Sequence, residues 1–97
     1  MAFVQIMTYT TSRRDEMDAA IEQWVTDTDE VRRVRRRLLL RDRHAADTYV
    51  EVVFFDSYED AMHNSTLPAT GVLATSMLAL TDAGFDFQDL DLVRDGF

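Results

Sequence analysis

Few side chains in this sequence have the capacity for chemistry. His44 and His63 are its two histidines, the side-chain type that titrates near neutrality. His63 follows the run Ser57-Tyr58-Glu59-Asp60-Ala61-Met62, so on a helix Glu59 and Asp60 lie one turn back and can orient its ring. That makes His63 the candidate general base, against the plainer reading of a solvated helical histidine beside an acid. His44 sits in His-Ala-Ala-Asp between two apolar segments and reads as a surface loop residue. Trp24, the single tryptophan, can stack on an aromatic ligand, or serve as core whose indole N–H needs a partner. Tyr9 can donate a hydrogen bond to a phenolic or quinone oxygen, or pack in an interface. Asn64 and Ser65 directly follow His63 and are candidate ligand contacts, or turn formers ahead of Pro68.

Other chemistries lack their residues. With no cysteine, disulfides, thiolate zinc sites and cysteine nucleophiles are excluded. Two histidines on different segments form no metal-ligand spacing, and three glycines cannot supply a dinucleotide fingerprint, so neither metal nor cofactor is expected. No serine stands in a nucleophile-elbow context.

The charge is peculiar. Eighteen acids against ten bases give −8, which disfavours nucleic acid as a partner. All ten bases are arginine, and seven lie between Arg32 and Arg43. No stretch approaches a membrane span and the first residues do not resemble a signal peptide, so a cytoplasmic protein is expected, with no membrane partner.

The elements that must position these groups follow from periodicity. A length of 97 residues predicts one domain, and 46% hydrophobic with 29% charged residues is ordinary globular composition. Phe3 to Tyr9 reads as a strand. Ser12, with Asp15 three residues on, predicts the start of a helix over about residues 13–27, with Met17, Ala20, Ile21, Trp24 and Val25 on one side. Val31 to Arg43 reads as a long strand, bulged near Leu38-Leu39-Leu40, paired through a hairpin with Thr48 to Phe55. Ser57 predicts a second helix, broken between Asn64 and Pro68, with Gly84 as its C-terminal cap. Asp86 to Arg94 alternates as a last strand. The order βαββαβ is the ferredoxin-like α+β plan, a four-stranded antiparallel sheet with both helices on one face.

Alternation divides the strands between two sheet faces. Val4, Ile6, Val34, Leu38, Leu40, Val50, Val52, Phe54, Leu90 and Leu92 form an aliphatic set, expected beneath the helices. The other set mixes aromatics with charges, and is expected to be uncovered and to pair with a second copy in a two-fold homodimer. The interface residues expected there are Arg33, Arg35, Arg37, Glu51, Phe55, Phe87, Asp89 and Asp91, the arginines of one chain meeting the acids of the other.

In length, element order, the long second strand and the stretch Tyr49 to Thr70 (YVEVVFFDSYEDAMHNSTLPAT), the chain resembles the dimeric α/β-barrel superfamily and, within it, the antibiotic-biosynthesis-monooxygenase-like proteins. The resemblance implies a ligand cavity in each subunit between sheet and helices. Some members are cofactor-free monooxygenases of polyketide-type phenols, some degrade haem, and others bind small molecules. Strand one offers Gln5 and Thr8 but no Asn, and Trp24 is on helix one, so the haem-degrading pattern is not matched. Two readings stay open. One is a cofactor-independent oxidoreductase acting on a small aromatic substrate, with His63 as base and Trp24, Tyr9, Asn64 and Ser65 around the ligand. The other is a non-enzymatic small-molecule-binding or accessory protein of the same fold.

Overall fold

The β-branched and aromatic run of residues 3–10 forms the first strand, β1 (Phe3–Thr10). In the computed structural model, which describes residues 2–97, it is followed by α1 (Arg14–Asp27), β2 (Val34–Arg41), β3 (Thr48–Phe55), α2 (Tyr58–Thr66), α3 (Pro68–Leu80) and β4 (Phe85–Asp91). The strands make one antiparallel sheet in the order β2-β3-β1-β4. This is the expected ferredoxin-like α+β arrangement, with the second helix in two pieces. No helix among the described residues is long and apolar enough to cross a membrane.

Local chemistry explains the element ends. Ser57 caps α2 as expected, its hydroxyl accepting from the Asp60 N–H at 3.1 Å. The break falls at Leu67, which is extended (φ −66°, ψ 134°) because Pro68 disfavours helical backbone before it, and Pro68 opens α3. The start of α1 departs from expectation: Ser12 does not cap it, and Arg13 takes the cap position without a side-chain bond. The neighbouring Thr11 does the work instead. Its buried hydroxyl accepts from the Arg13 N–H at 3.0 Å and donates to the Leu80 carbonyl at 2.7 Å, tying the β1–α1 turn to the end of α3. β2 is shorter than predicted, and its irregularity lies between Val34 and Arg36 rather than at the leucines. Gly84 does not cap α3, which ends at Leu80 with Thr81 as its cap. At φ +81° Gly84 turns the chain into β4, a conformation open to glycine at little cost.

The two sheet faces are exchanged relative to expectation. The helices cover the mixed face: Phe3, Tyr9, Glu51, Val53 and Phe55 are all buried, while Leu40 and Leu90 of the aliphatic set are 48% and 42% exposed. Met17, Ile21 and Trp24, spaced four and three apart on α1, are the residues it buries. Beneath the helices the core divides into two clusters. Tyr9 packs with Met17, Ile21, Met77 and Leu80, and Phe3 packs with Val53, Phe55 and Ala61.

The expected interface set is corrected accordingly. Phe55 is buried in its own core, and Phe87 lies beside the same helix-covered space. The charges that were to meet across a dimer are met within the chain: Arg37 with Glu51, Arg33 with Asp60 of α2 at 3.2 Å, and Arg35 with Asp56 at 3.4 Å. Asp89 accepts from Gln5 Nε2 at 3.2 Å on that face, and Asp91, opposite Phe3, shares it by register. The two sets alternate as expected except at the start of β2, where the irregularity between Val34 and Arg36 puts Val34 on the covered face with Phe55. The helices cover the mixed set because its aromatics, Phe3, Tyr9 and Phe55, pack beneath them, and its buried charges, Arg37 and Glu51, pair with each other.

Candidate functional site

Between the two core clusters the helices stand off the sheet and leave a cavity of about 430 Å³. That is within the range of small-molecule sites, roughly 300–1,000 Å³. Its walls come from both clusters: Ile21, Leu73, Met77 and Phe85 on one side, and Met7, Val34, Val53 and Phe55 on the other. The lining is predominantly apolar, with a few polar groups at defined points.

Three of those points lie where the second helix is interrupted. Trp24 projects from α1 into the wall, and its indole N–H donates to Thr70 Oγ1 at 2.9 Å, just past the break. Trp24 is a core residue, 7% exposed, whose ring also forms part of the cavity wall. Asn64 lines the cavity from the last turn of α2, and its buried Oδ1 has no hydrogen-bond partner among the described residues. A buried carbonyl left unpaired costs about 1–3 kcal/mol, so its retention beside a cavity calls for a reason. Ser65 also lines the cavity, but its hydroxyl donates to the Met62 carbonyl at 2.7 Å and is used by the helix.

The fourth polar point is an ion pair. Glu51, on β3, is 1% exposed, and its carboxylate accepts from Nη2 of Arg37 on β2. Arg37 stands opposite Val53 and Glu51 opposite Leu39, so the pair is a diagonal neighbour contact across the two strands on the covered face. Both residues line the cavity. Burial lowers the Arg37 pKa from its ordinary value; repulsion by Arg14 adds to this, while Tyr9 and Asp18 oppose it. Nearby, Arg14 pairs with Asp18, donates to the Tyr9 hydroxyl at 3.1 Å and lies 4.7 Å from the Tyr49 ring centre. Burial works against the Arg14 cation, but its bonds to Asp18 and Tyr9 outweigh it and raise its pKa. Tyr9 is thus a core residue whose hydroxyl is held by Arg14, and it does not line the cavity.

His63 is half-buried on α2 and is not among the cavity-lining residues, although Asn64 and Ser65 beside it are. His44 borders a separate surface depression formed by the β2–β3 hairpin loop, residues 41–47, with Tyr49. No group of three or more metal-ligating side chains occurs among the described residues. Of the expected ligand contacts, Trp24, Asn64 and Ser65 line the cavity and Tyr9 does not; Arg37 and Glu51, expected at a dimer interface, line it instead. The available signal was a lone acid inside the apolar run of β3, on the same alternation face as Arg37.

These features define a two-layer ferredoxin-like protein with a cavity between sheet and helices. The fold is that of the antibiotic-biosynthesis-monooxygenase-like proteins. Among solved structures, a proposed antibiotic biosynthesis monooxygenase of Caulobacter crescentus CB15 superposes with a TM-score of 0.83 at 11% identity, over 96% of this chain and 91% of that one. SnoaB, a cofactor-independent oxygenase of Streptomyces nogalater, gives 0.81 at 15% identity, over 97% and 95%. Rv0793 of Mycobacterium tuberculosis gives 0.79 at 13%, over the full length of both chains. No family model matches the sequence, and no curated protein matches it. At such identities the likeness is one of fold.

Proposed function

We propose that the chain is a cofactor-independent oxygenase acting on a small, polycyclic or polyketide-like phenol held between sheet and helices. The observation that carries this reading is a predominantly apolar cavity walled by Trp24 and bordered by Asn64, whose buried Oδ1 has no hydrogen-bond partner among the described residues. A phenol ring fills the apolar space against the indole, and its O–H can pair with the Asn64 carbonyl when that half-buried side chain turns toward the cavity. The similarity in fold to SnoaB supports the reaction class. In such a reaction the substrate supplies all four electrons. A phenol and one O₂ yield a quinone and one water: one oxygen atom enters the ring, the other leaves as water, and the ring C–H and O–H protons go to that water. The protein binds and orients the ring and excludes solvent. Oxygen uptake with a bicyclic or tricyclic phenol is the test. Uptake that matches quinone formation and is lost in Asn64→Ala supports the reading. Tight binding of the phenol with no uptake replaces it with the accessory, ligand-carrying reading, which the position of His63 outside the cavity favours. His63→Ala separates the base hypothesis: an unchanged rate removes His63 from the reaction.

The same reading includes a homodimer, through the face opposite to that expected from sequence. The protein is a slab 17 Å thick, one sheet layer and one helix layer, so one sheet face has no cover from its own chain. That face presents Ile6, Leu38, Leu40, Val50, Val52, Phe54 and Leu90, with Arg36 5.8 Å from the centre of the Phe54 ring. A contiguous aliphatic sheet surface of this kind is suited to a second copy of itself. Sedimentation should give a dimer that Leu40→Glu converts to a folded monomer. A monomeric wild type at micromolar concentration refutes this part.

A further inference from the structure

Glu51 is a costly residue to place where it is. A buried ion pair is often no more stabilising than apolar side chains of the same volume, because desolvation offsets the attraction. Val53 and Phe55, on the same face of the same strand, show what the core otherwise uses. An acid at this position is thus better explained by what it does to Arg37 than by what it adds to the core. Without Glu51, the cavity wall would carry an uncompensated guanidinium, and an apolar cavity with one buried cation selects carboxylates. With Glu51, the cation is already matched. The next cation, Arg14, is matched by Asp18. A permanent anion entering the cavity would therefore be a surplus negative charge in a poorly solvated site, in a protein of net charge −8.

We propose that Glu51 is a specificity-determining residue, which neutralises Arg37 so that the cavity takes aromatic ligands bearing neutral oxygen (phenol or ketone) and rejects those bearing a carboxylate. This rests on the reading of the cavity as a site for aromatic ligands, whether or not turnover follows. Arg37, paired with Glu51 through Nη2, has further N–H groups on the same planar fork with which to donate to a neutral ligand oxygen. Glu51 acts through Arg37 and is a positioning residue.

Isothermal titration at pH 7 with 2-naphthol, which is neutral there, and 2-naphthoate, which is the anion of matching shape, tests this. The wild type should bind 2-naphthol more tightly. Glu51→Gln, or Glu51→Leu if the amide variant does not fold, should raise the affinity for 2-naphthoate relative to 2-naphthol by about tenfold, the scale of one uncompensated charge contact. Arg37→Gln combined with Glu51→Gln should abolish that gain, which a merely structural role for Glu51 would not do. Tighter binding of 2-naphthoate by the wild type, or an unchanged ratio in the Glu51 variant, overturns the inference while leaving the cavity reading in place. Failure of both probes to bind any variant overturns the cavity reading and the inference with it.

Discussion

Replacing Asn64 with leucine should make the protein more stable and less able to bind. The Asn64 side chain is half-buried, and its Oδ1 is shielded from solvent without a partner. An unsatisfied buried polar atom costs about 1–3 kcal/mol, and the partial exposure of the residue places Asn64 near the lower end, about 1 kcal/mol. Leucine has the same branching and number of side-chain heavy atoms, though its methyl groups are bulkier, leaves no polar atom to satisfy, and favours a helix by a few tenths of a kcal/mol over asparagine. The backbone carbonyl of Asn64, which accepts from the Leu67 N–H, is untouched. For a domain of this size, about 1 kcal/mol corresponds to a rise in Tm of about 4–8 °C. Circular dichroism melts of the free protein read the stability, and titration with 2-naphthol reads the binding. Loss of one hydrogen bond should lower the affinity about fivefold. Gain in stability with loss of binding is the signature of a polar group kept for a ligand. A Tm that falls in Asn64→Leu, and also in Asn64→Ala, where no overfilling can occur, would falsify the claim that Oδ1 is unsatisfied in the free protein.

Phe55→Ala removes one of the two phenylalanines of the second core cluster, its ring centre 6.4 Å from that of Phe3, and should cost about 3–5 kcal/mol by urea denaturation. A cost below about 1 kcal/mol would mean that Phe55 is not in a packed core. Trp24→Phe keeps the aromatic wall but removes the bond to Thr70. It should lower stability by about 1 kcal/mol, and an unchanged Tm would show that bond to be dispensable. Thr11→Val leaves both the Arg13 N–H and the Leu80 carbonyl without their partner and should destabilise by about 1–3 kcal/mol. Ser12→Ala, one residue on and exposed, serves as the control and should be neutral.

Much of the site's position was legible because it depends on short-range rules. Pro68 fixes φ, lacks an N–H and pushes Leu67 out of helical backbone, so the interruption that sets Asn64, Ser65 and Thr70 beside the cavity is readable from residues 64–68. Ser57 and Asp60 have the spacing of a cap and form one. The helical period of α1 puts Trp24 inward with Met17 and Ile21. The start of α1 was misread because Thr11 and Ser12 are equally good candidates by type. A contact 69 residues away, to Leu80, selects Thr11.

The sequence by itself determined the element order, the ferredoxin-like plan and, except at Val34 before the irregularity in β2, the partition of each strand into two alternating sets. Local geometry and a period of two are enough for that. The sequence pointed to the aliphatic set as the covered one, because the other set mixes aromatics with charges, and that expectation is reversed in the structure. The covered set was decided by the tertiary structure, through the packing of α1 and the α2–α3 unit against the aromatic residues of the mixed face. Turning the helices onto the mixed face buried Tyr9, Phe55 and Glu51 and made the Arg37–Glu51 pair an internal contact. It left the aliphatic face open and set the cavity against the one face that carries charge.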